Sequence, residues 1–280
     1  VTREDHRRAV ALDDAERKLM VLAINEYGLA AQGAAELLPP LVGRLTQEAW
    51  WAYIYPLADS IEAHEPLTDL DWARALLLTE FAFGSDMVAN ARRFSPRGDE
   101  RWVLVLRSLQ EKLFTERSTQ LLVANATYPT FDDTNSERTA ILPMDLGDFA
   151  FDDDERRLML VSLKAHAEQP ERGYGLLAPI AGQKTFDEWT AYIDHLHRAV
   201  DDEQFLTELD WSRVLLLTEM GFISSLAGFA SHFRGADQYG IRVLRTLQVT
   251  IHRGSLALLF IENATYPWIR YDTDDGLAHE

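Results

Sequence analysis

A chain of 280 residues with 47% hydrophobic content can bury one large core or two ordinary ones, which excludes an intrinsically disordered chain. Its formal charge of −18 opposes binding to nucleic-acid phosphates, a task that needs clustered lysine and arginine. It has no cysteine, and with that go disulfides, thiolate zinc sites and cysteine nucleophiles.

In chain order, Val1-Thr-Arg-Glu-Asp-His6 runs into Asp13-Asp-Ala-Glu-Arg-Lys18 without a long apolar segment, so no secretory signal is expected. Runs such as Leu256-Ala-Leu-Leu-Phe-Ile261 fall far short of the roughly 20 apolar residues that span a bilayer. The expectation is a soluble, cytoplasmic protein with no membrane partner. Lys18, Lys112, Lys164 and Lys184 are the only lysines against many arginines, a bias that fits bacterial coding at high GC content.

Apolar spacing and end signals predict helices over Asp13–Tyr27, Thr46–Ala63, Asp69–Ala91, Gly98–Leu113 and Glu116–Ala126. A second set is predicted over Asp152–Ala167, Thr185–Val200, Glu208–Ala230, Asp237–Ile251 and Gly254–Ala264. Pro39, Pro40, Pro129, Pro179 and Pro267 fall between these helices, where proline belongs. No stretch alternates as a strand would. Between the two sets lies an aspartate-rich connector holding Ile141-Leu-Pro-Met144, apolar enough to pack on one half.

The two sets match. Leu67-Thr-Asp-Leu-Asp-Trp-Ala-Arg-Ala-Leu-Leu-Leu-Thr-Glu80 returns as Leu206-Thr-Glu-Leu-Asp-Trp-Ser-Arg-Val-Leu-Leu-Leu-Thr-Glu219, identical at eleven of fourteen positions. Asp13 to Met20 answers to Asp152 to Met159, and Trp50-x-Ala-Tyr53 to Trp189-x-Ala-Tyr192, all at one offset. After Phe94 and Phe233 the second copy loses one residue. The register then holds through Val105-Leu-Arg-Ser-Leu-Gln110 and Val243-Leu-Arg-Thr-Leu-Gln248 to Asn125-Ala-Thr-Tyr-Pro129 and Asn263-Ala-Thr-Tyr-Pro267. The unit is too long for a solenoid repeat, whose period is roughly 20–50 residues. The expected fold is all-α: a tandem duplication of a roughly five-helix unit, 1–135 and 151–280 joined by 136–150, with pseudo-twofold symmetry, as a monomer with an internal pseudo-dimer or as a homodimer.

Helix physics explains part of the repeated stretch. Thr68-x-x-Asp71 and Thr207-x-x-Asp210 fit capping boxes, as does Thr185-x-x-Glu188, and Leu67 with Trp72 and Leu206 with Trp211 stand where a hydrophobic staple joins. Arg74 falls on the same helix face as Asp71, three residues back, and is expected to meet it.

Glu80 and Glu219 are different. Each sits in a run apolar on nearly every side, and a carboxylate there must be satisfied by something. Arg107 and Arg245, duplicated on the next long helix, are the expected partners in a structural Glu–Arg clamp; a catalytic or ligand role for the glutamates is the runner-up. Asn125 and Asn263 match a glycosylation sequon but read better as buried polar groups at helix ends before Tyr-Pro.

Arg92, Arg93, Arg97 and Arg101, with His232 and Arg234 in the second copy, form a basic island on an acidic protein and are the candidate ligand-binding residues. Basic residues near a helix end also serve simply to complement its dipole. No Glu-x-x-His pair, His-Glu-x-x-His, nucleophile elbow or glycine-rich dinucleotide loop occurs, so no metal or cofactor is expected; Asp194 with His197 is the weak metal alternative, and belongs to one copy only. With no nucleophile or cofactor motif, the chain reads as a binding protein, an inhibitor or immunity-like module whose acidity speeds association with a basic partner protein. The alternative is an enzyme or small-molecule binder with a pocket between the repeats that uses the buried glutamates.

Overall fold

The computed structural model describes residues 7–27, 37–44, 46–126, 143–144, 149–251 and 263–264. Among them the chain is mostly helical. The α-helices are α1 (Asp14–Glu26), α2 (Gln47–Glu62), α3 (Asp69–Gly84), α4 (Asp99–Leu113), α5 (Glu116–Asn125), α6 (Asp153–Glu168), α7 (Pro170–Leu177), α8 (Phe186–Asp201), α9 (Glu208–Ile223) and α10 (Asp237–Ile251). No helix among the described residues is long and apolar enough to cross a membrane. The predicted helix over Gly254–Ala264 lies outside the described residues except at its last two positions.

Side-chain caps start these helices. Thr46, Thr68, Thr115, Thr185 and Thr207 each accept an N–H from the first turn, and Asp13 and Asp152 close full capping boxes with Glu16 and Glu155. The box is complete at Thr207–Asp210, whereas Thr68 caps α3 and also donates its hydroxyl to Asp71 at 2.7 Å. Tyr53 and Tyr192 donate to Asp71 and Asp210 at 2.9 and 2.5 Å, which ties α2 to the start of α3 and α8 to the start of α9. Arg74 does lie near Asp71, at 3.7 Å.

Two expectations need correction. Short strands exist: β1 (Arg7–Arg8) pairs antiparallel with β2 (Leu67–Thr68), and β3 (Pro143–Met144) with β4 (Leu206–Thr207). Two residues are too few to show alternation, so sequence patterning could not reveal them. Pro56, within the predicted Thr46–Ala63 helix, lies inside α2 on its exposed side, where water can satisfy the carbonyl that loses its partner. Finally, α3 and α9 end at Gly84 and Ile223, seven residues before the predicted ends, and short 3₁₀ segments at Ala91–Arg97 and Ala230–Phe233 follow. The intervening turns prove to be the most informative part of the molecule.

Helix α1 packs on α2, α3 and α4, and α6 packs on α8, α9 and α10; the two groups meet where α3 touches α9 and α4 touches α10. Every residue from Trp72 to Gly84 and from Trp211 to Ile223 is buried, so α3 and α9 form the centre of one continuous apolar core. Tyr27 donates to the Leu78 carbonyl at 2.5 Å, while a His166 ring nitrogen lies 3.2 Å from the Leu217 carbonyl; the rings pack edge-on against Trp50 and Trp189 respectively. Burial pushes His166 down to about 4, which keeps the imidazole neutral. The end of the connector rests on the second group, with Phe149 and Phe151 packed against Trp211.

Candidate functional site

Glu80 and Glu219 have no exposed surface. The Glu80 carboxylate accepts from the Ser224 hydroxyl at 2.5 Å, the Ser225 N–H at 2.8 Å and the Gln110 amide at 2.7 Å. Glu219 accepts from the Ser85 hydroxyl at 2.6 Å, the Asp86 N–H at 2.8 Å and the Gln248 amide at 2.7 Å. Each carboxylate therefore takes two of its three bonds from the turn that follows the other glutamate's helix. The serines explain why those helices stop. Ser85 Oγ accepts the Val88 N–H, and Ser224 Oγ accepts those of Leu226 and Ala227, a local turn that competes with further helix and leaves the hydroxyl proton for the carboxylate.

The expected Glu–Arg clamp is not what closes this region. Arg107 donates to Asp237 at 2.6 Å, to Gln110 Oε1 at 2.9 Å and to the carbonyls of Phe222 and Ile223 at 2.9 and 3.0 Å. Arg245 bonds both oxygens of Asp99, at 3.0 and 3.1 Å, with Gln248 Oε1 at 2.9 Å and the Phe83 carbonyl at 2.8 Å. A glutamine thus stands between each arginine and glutamate, its amide oxygen accepting from one and its amide nitrogen donating to the other. Gln110 and Gln248 also donate to the Ile223 and Gly84 carbonyls. The last carbonyls of α3 and α9, which have no helical partner, are in this way capped by α10 and α4.

Burial pushes Glu80 up to about 7 against the pull of its hydrogen bonds and the nearby Arg107 charge. Burial likewise pushes Glu219 up, to about 8, against the pull of its hydrogen bonds, and the nearby Asp86 charge adds to the rise. Arg107 is lowered, chiefly by burial.

The basic island divides. Arg92 pairs with Asp86, and Arg93 with Glu26 at 2.5 Å, so both are tied to acids of their own half. Arg101 is exposed, His232 stacks on Phe229 with ring centroids 5.6 Å apart, and the side chain of Arg97 lies outside the described residues. Arg234, 3.3 Å from Glu111, lines a cavity of about 410 Å³ together with Arg107 and Arg172. Arg172 was not among the expected residues. It lies in a stretch with no matching words in the first half of the sequence, so comparing the two halves could not single it out.

Asn125 ends α5, half-buried, and donates to the Leu121 carbonyl at 2.9 Å; Asn263 is buried. Asp194 is exposed and His197 half-buried on α8, and no group of three or more histidines, aspartates and glutamates suited to a metal ion occurs among the described residues. Comparison of the chain with protein-family models, curated proteins and solved structures finds no match in any of the three.

Proposed function

We propose that the chain is a tandem duplication closed about a pseudo-twofold axis, and that it works as a binding protein with an acidic face for a basic protein partner, in the manner of an inhibitor or immunity protein. The observation that carries this reading is where the charge lies. Among the described residues Arg8, Arg74, Arg92, Arg93, Arg107, Lys112, Arg156, Arg242 and Arg245 are all within ion-pair distance of acids of the same chain. With those cations engaged within the chain, its net charge of −18 favours a basic partner over an acidic one. Asp194, Asp201 and Asp202 are exposed along the end of α8, and Phe205 beside them is 69% exposed. An exposed aromatic ring close in sequence to exposed carboxylates offers an apolar anchor on an acidic surface, a combination suited to a binding hot spot.

The enclosed glutamates support the same reading, since a carboxylate with no exposed surface has no direct route to a substrate. The test is affinity capture from the native host with the full chain, followed by mass spectrometry, for the wild type and for Phe205→Ala and Asp202→Lys variants. A basic protein held by the wild type, weakened by salt and lost with either variant is the expected result. Capture of an acidic partner, or capture indifferent to both variants, overturns the reading.

A further inference from the structure

The turns after α3 and α9 occupy matching places, because the Asp86 and Ser225 amides make the same 2.8 Å bond to the opposite glutamate. Their side chains differ. Asp86 is buried, and its carboxylate accepts the Arg92 N–H at 3.2 Å and pairs with the Arg92 side chain. In the other turn Ser225 and Ser231 stand at the positions of Asp86 and Arg92, and the shorter side chains border the cavity of about 410 Å³.

We propose that this cavity is a binding site for a small organic carboxylate, whose two oxygens take the place that the Asp86 side chain fills on the other side of the molecule.

The donors are present. Arg172 bonds the Gly228 carbonyl at 3.2 Å and lies over the rings of Phe114 and Phe229, and no carboxylate among the described residues pairs with it. Its planar fork has five N–H groups, of which one is so engaged, and it matches a carboxylate's two oxygens. Among the described residues Arg234 pairs only with Glu111, and the two side chains are 59% and 58% exposed, so an incoming anion can exchange for Glu111 at little cost. Arg107 adds a buried cation on the far wall, already balanced by Asp237. The volume falls within the range of small-molecule sites, and Phe114 offers an apolar wall for the body of the ligand. A phosphate dianion fits the same cavity less well, since Glu111 on its wall would repel the second charge.

Calorimetric titration of the full chain with benzoate tests this, with inorganic phosphate and benzyl alcohol as comparisons. Benzoate should saturate one site per chain with Kd of about 1 mM or tighter, and both comparisons should bind at least about tenfold more weakly. Ser225→Asp, which supplies a tethered carboxylate as Asp86 does, should abolish benzoate binding without lowering the melting temperature. Arg234→Ala, at an exposed position, should weaken it about tenfold and keeps the test informative if Ser225→Asp unfolds. Absence of saturation, phosphate or benzyl alcohol binding as tightly as benzoate, or benzoate affinity unchanged in a folded Ser225→Asp or Arg234→Ala protein would overturn the proposal.

Discussion

At the scale of single residues, Asp237 is the side chain whose loss should cost most. It is the counter-charge of Arg107, and removing one partner of a buried ion pair leaves a charge with no compensation. Asp237→Ala is therefore expected to lower stability by about 3–5 kcal/mol in urea melts, and a loss below about 1 kcal/mol would contradict the assignment. Glu80→Ala does something else: it strands three neutral donors, from Ser224, Ser225 and Gln110, and not a cation. The two glutamates also set a pH dependence. An unfolded chain releases their protons near 4.5, whereas the folded chain keeps them up to about 7 at Glu80 and about 8 at Glu219. Between those limits the folded state binds more protons than the unfolded one, so these groups make stability fall as pH rises from 4.5 to 8 and add no slope outside the window. Thermal melts across that range should show the decline, and the Glu80→Gln/Glu219→Gln double variant should flatten it; an equal slope in the double variant would refute the linkage. The glutamates were legible in the sequence because a charge in an all-apolar run demands an explanation. Asp99 and Asp237 were not, because an acid in the first turn of a helix already has a local reason to be there.

Among the elements, α3 and α9 were recognised in type and start, and misjudged at their ends. Apolar residues continue past Gly84 and Ile223, so periodicity alone extends both helices; what stops them is a serine whose acceptor lies on the other helix. A contact between residues 134 or 144 positions apart leaves no local trace. The close approach at this end has its own signature in Gly84. A Cβ there would stand 2.8 Å from Ile223 Cγ2, so alanine, normally the better helix former, should destabilise by about 1–3 kcal/mol through overpacking. In a double-mutant cycle with Ile223→Ala the two changes should couple favourably, since alanine removes the Cγ1 and Cγ2 atoms that the new methyl would meet; strict additivity would show that the helices do not meet as described.

Over the whole molecule, the reciprocity of the two turns makes a prediction about half of it. The donors that Glu80 takes from Ser224 and Ser225 have counterparts in Ser85 and Asp86, which do the same for Glu219. A fragment of residues 1–135 contains both the acceptor and an equivalent set of donors. It should form a homodimer by light scattering, and Glu80→Ala should dissociate or unfold it. A folded monomeric fragment would defeat the proposed pseudo-twofold arrangement. The helical class was readable from apolar spacing and end signals in the sequence, but which surfaces the two matched stretches present to each other was not, since identical words serve a string of separate domains equally well.

The pairing of Asp86 with Ser225 has a consequence of another kind. In a dimer of identical subunits every substitution appears twice, so a cavity opened on one side opens on both, and the molecule must carry the lost packing in duplicate. Under the proposed duplication, joining the two units in one chain lifts that constraint: one turn can keep its internal carboxylate and go on bracing the interface while the other gives its carboxylate up. Covalent linkage then acts as a licence for the two sides to specialise, and the arginine-lined cavity on the Ser225 side is the place that this reading assigns to that freedom.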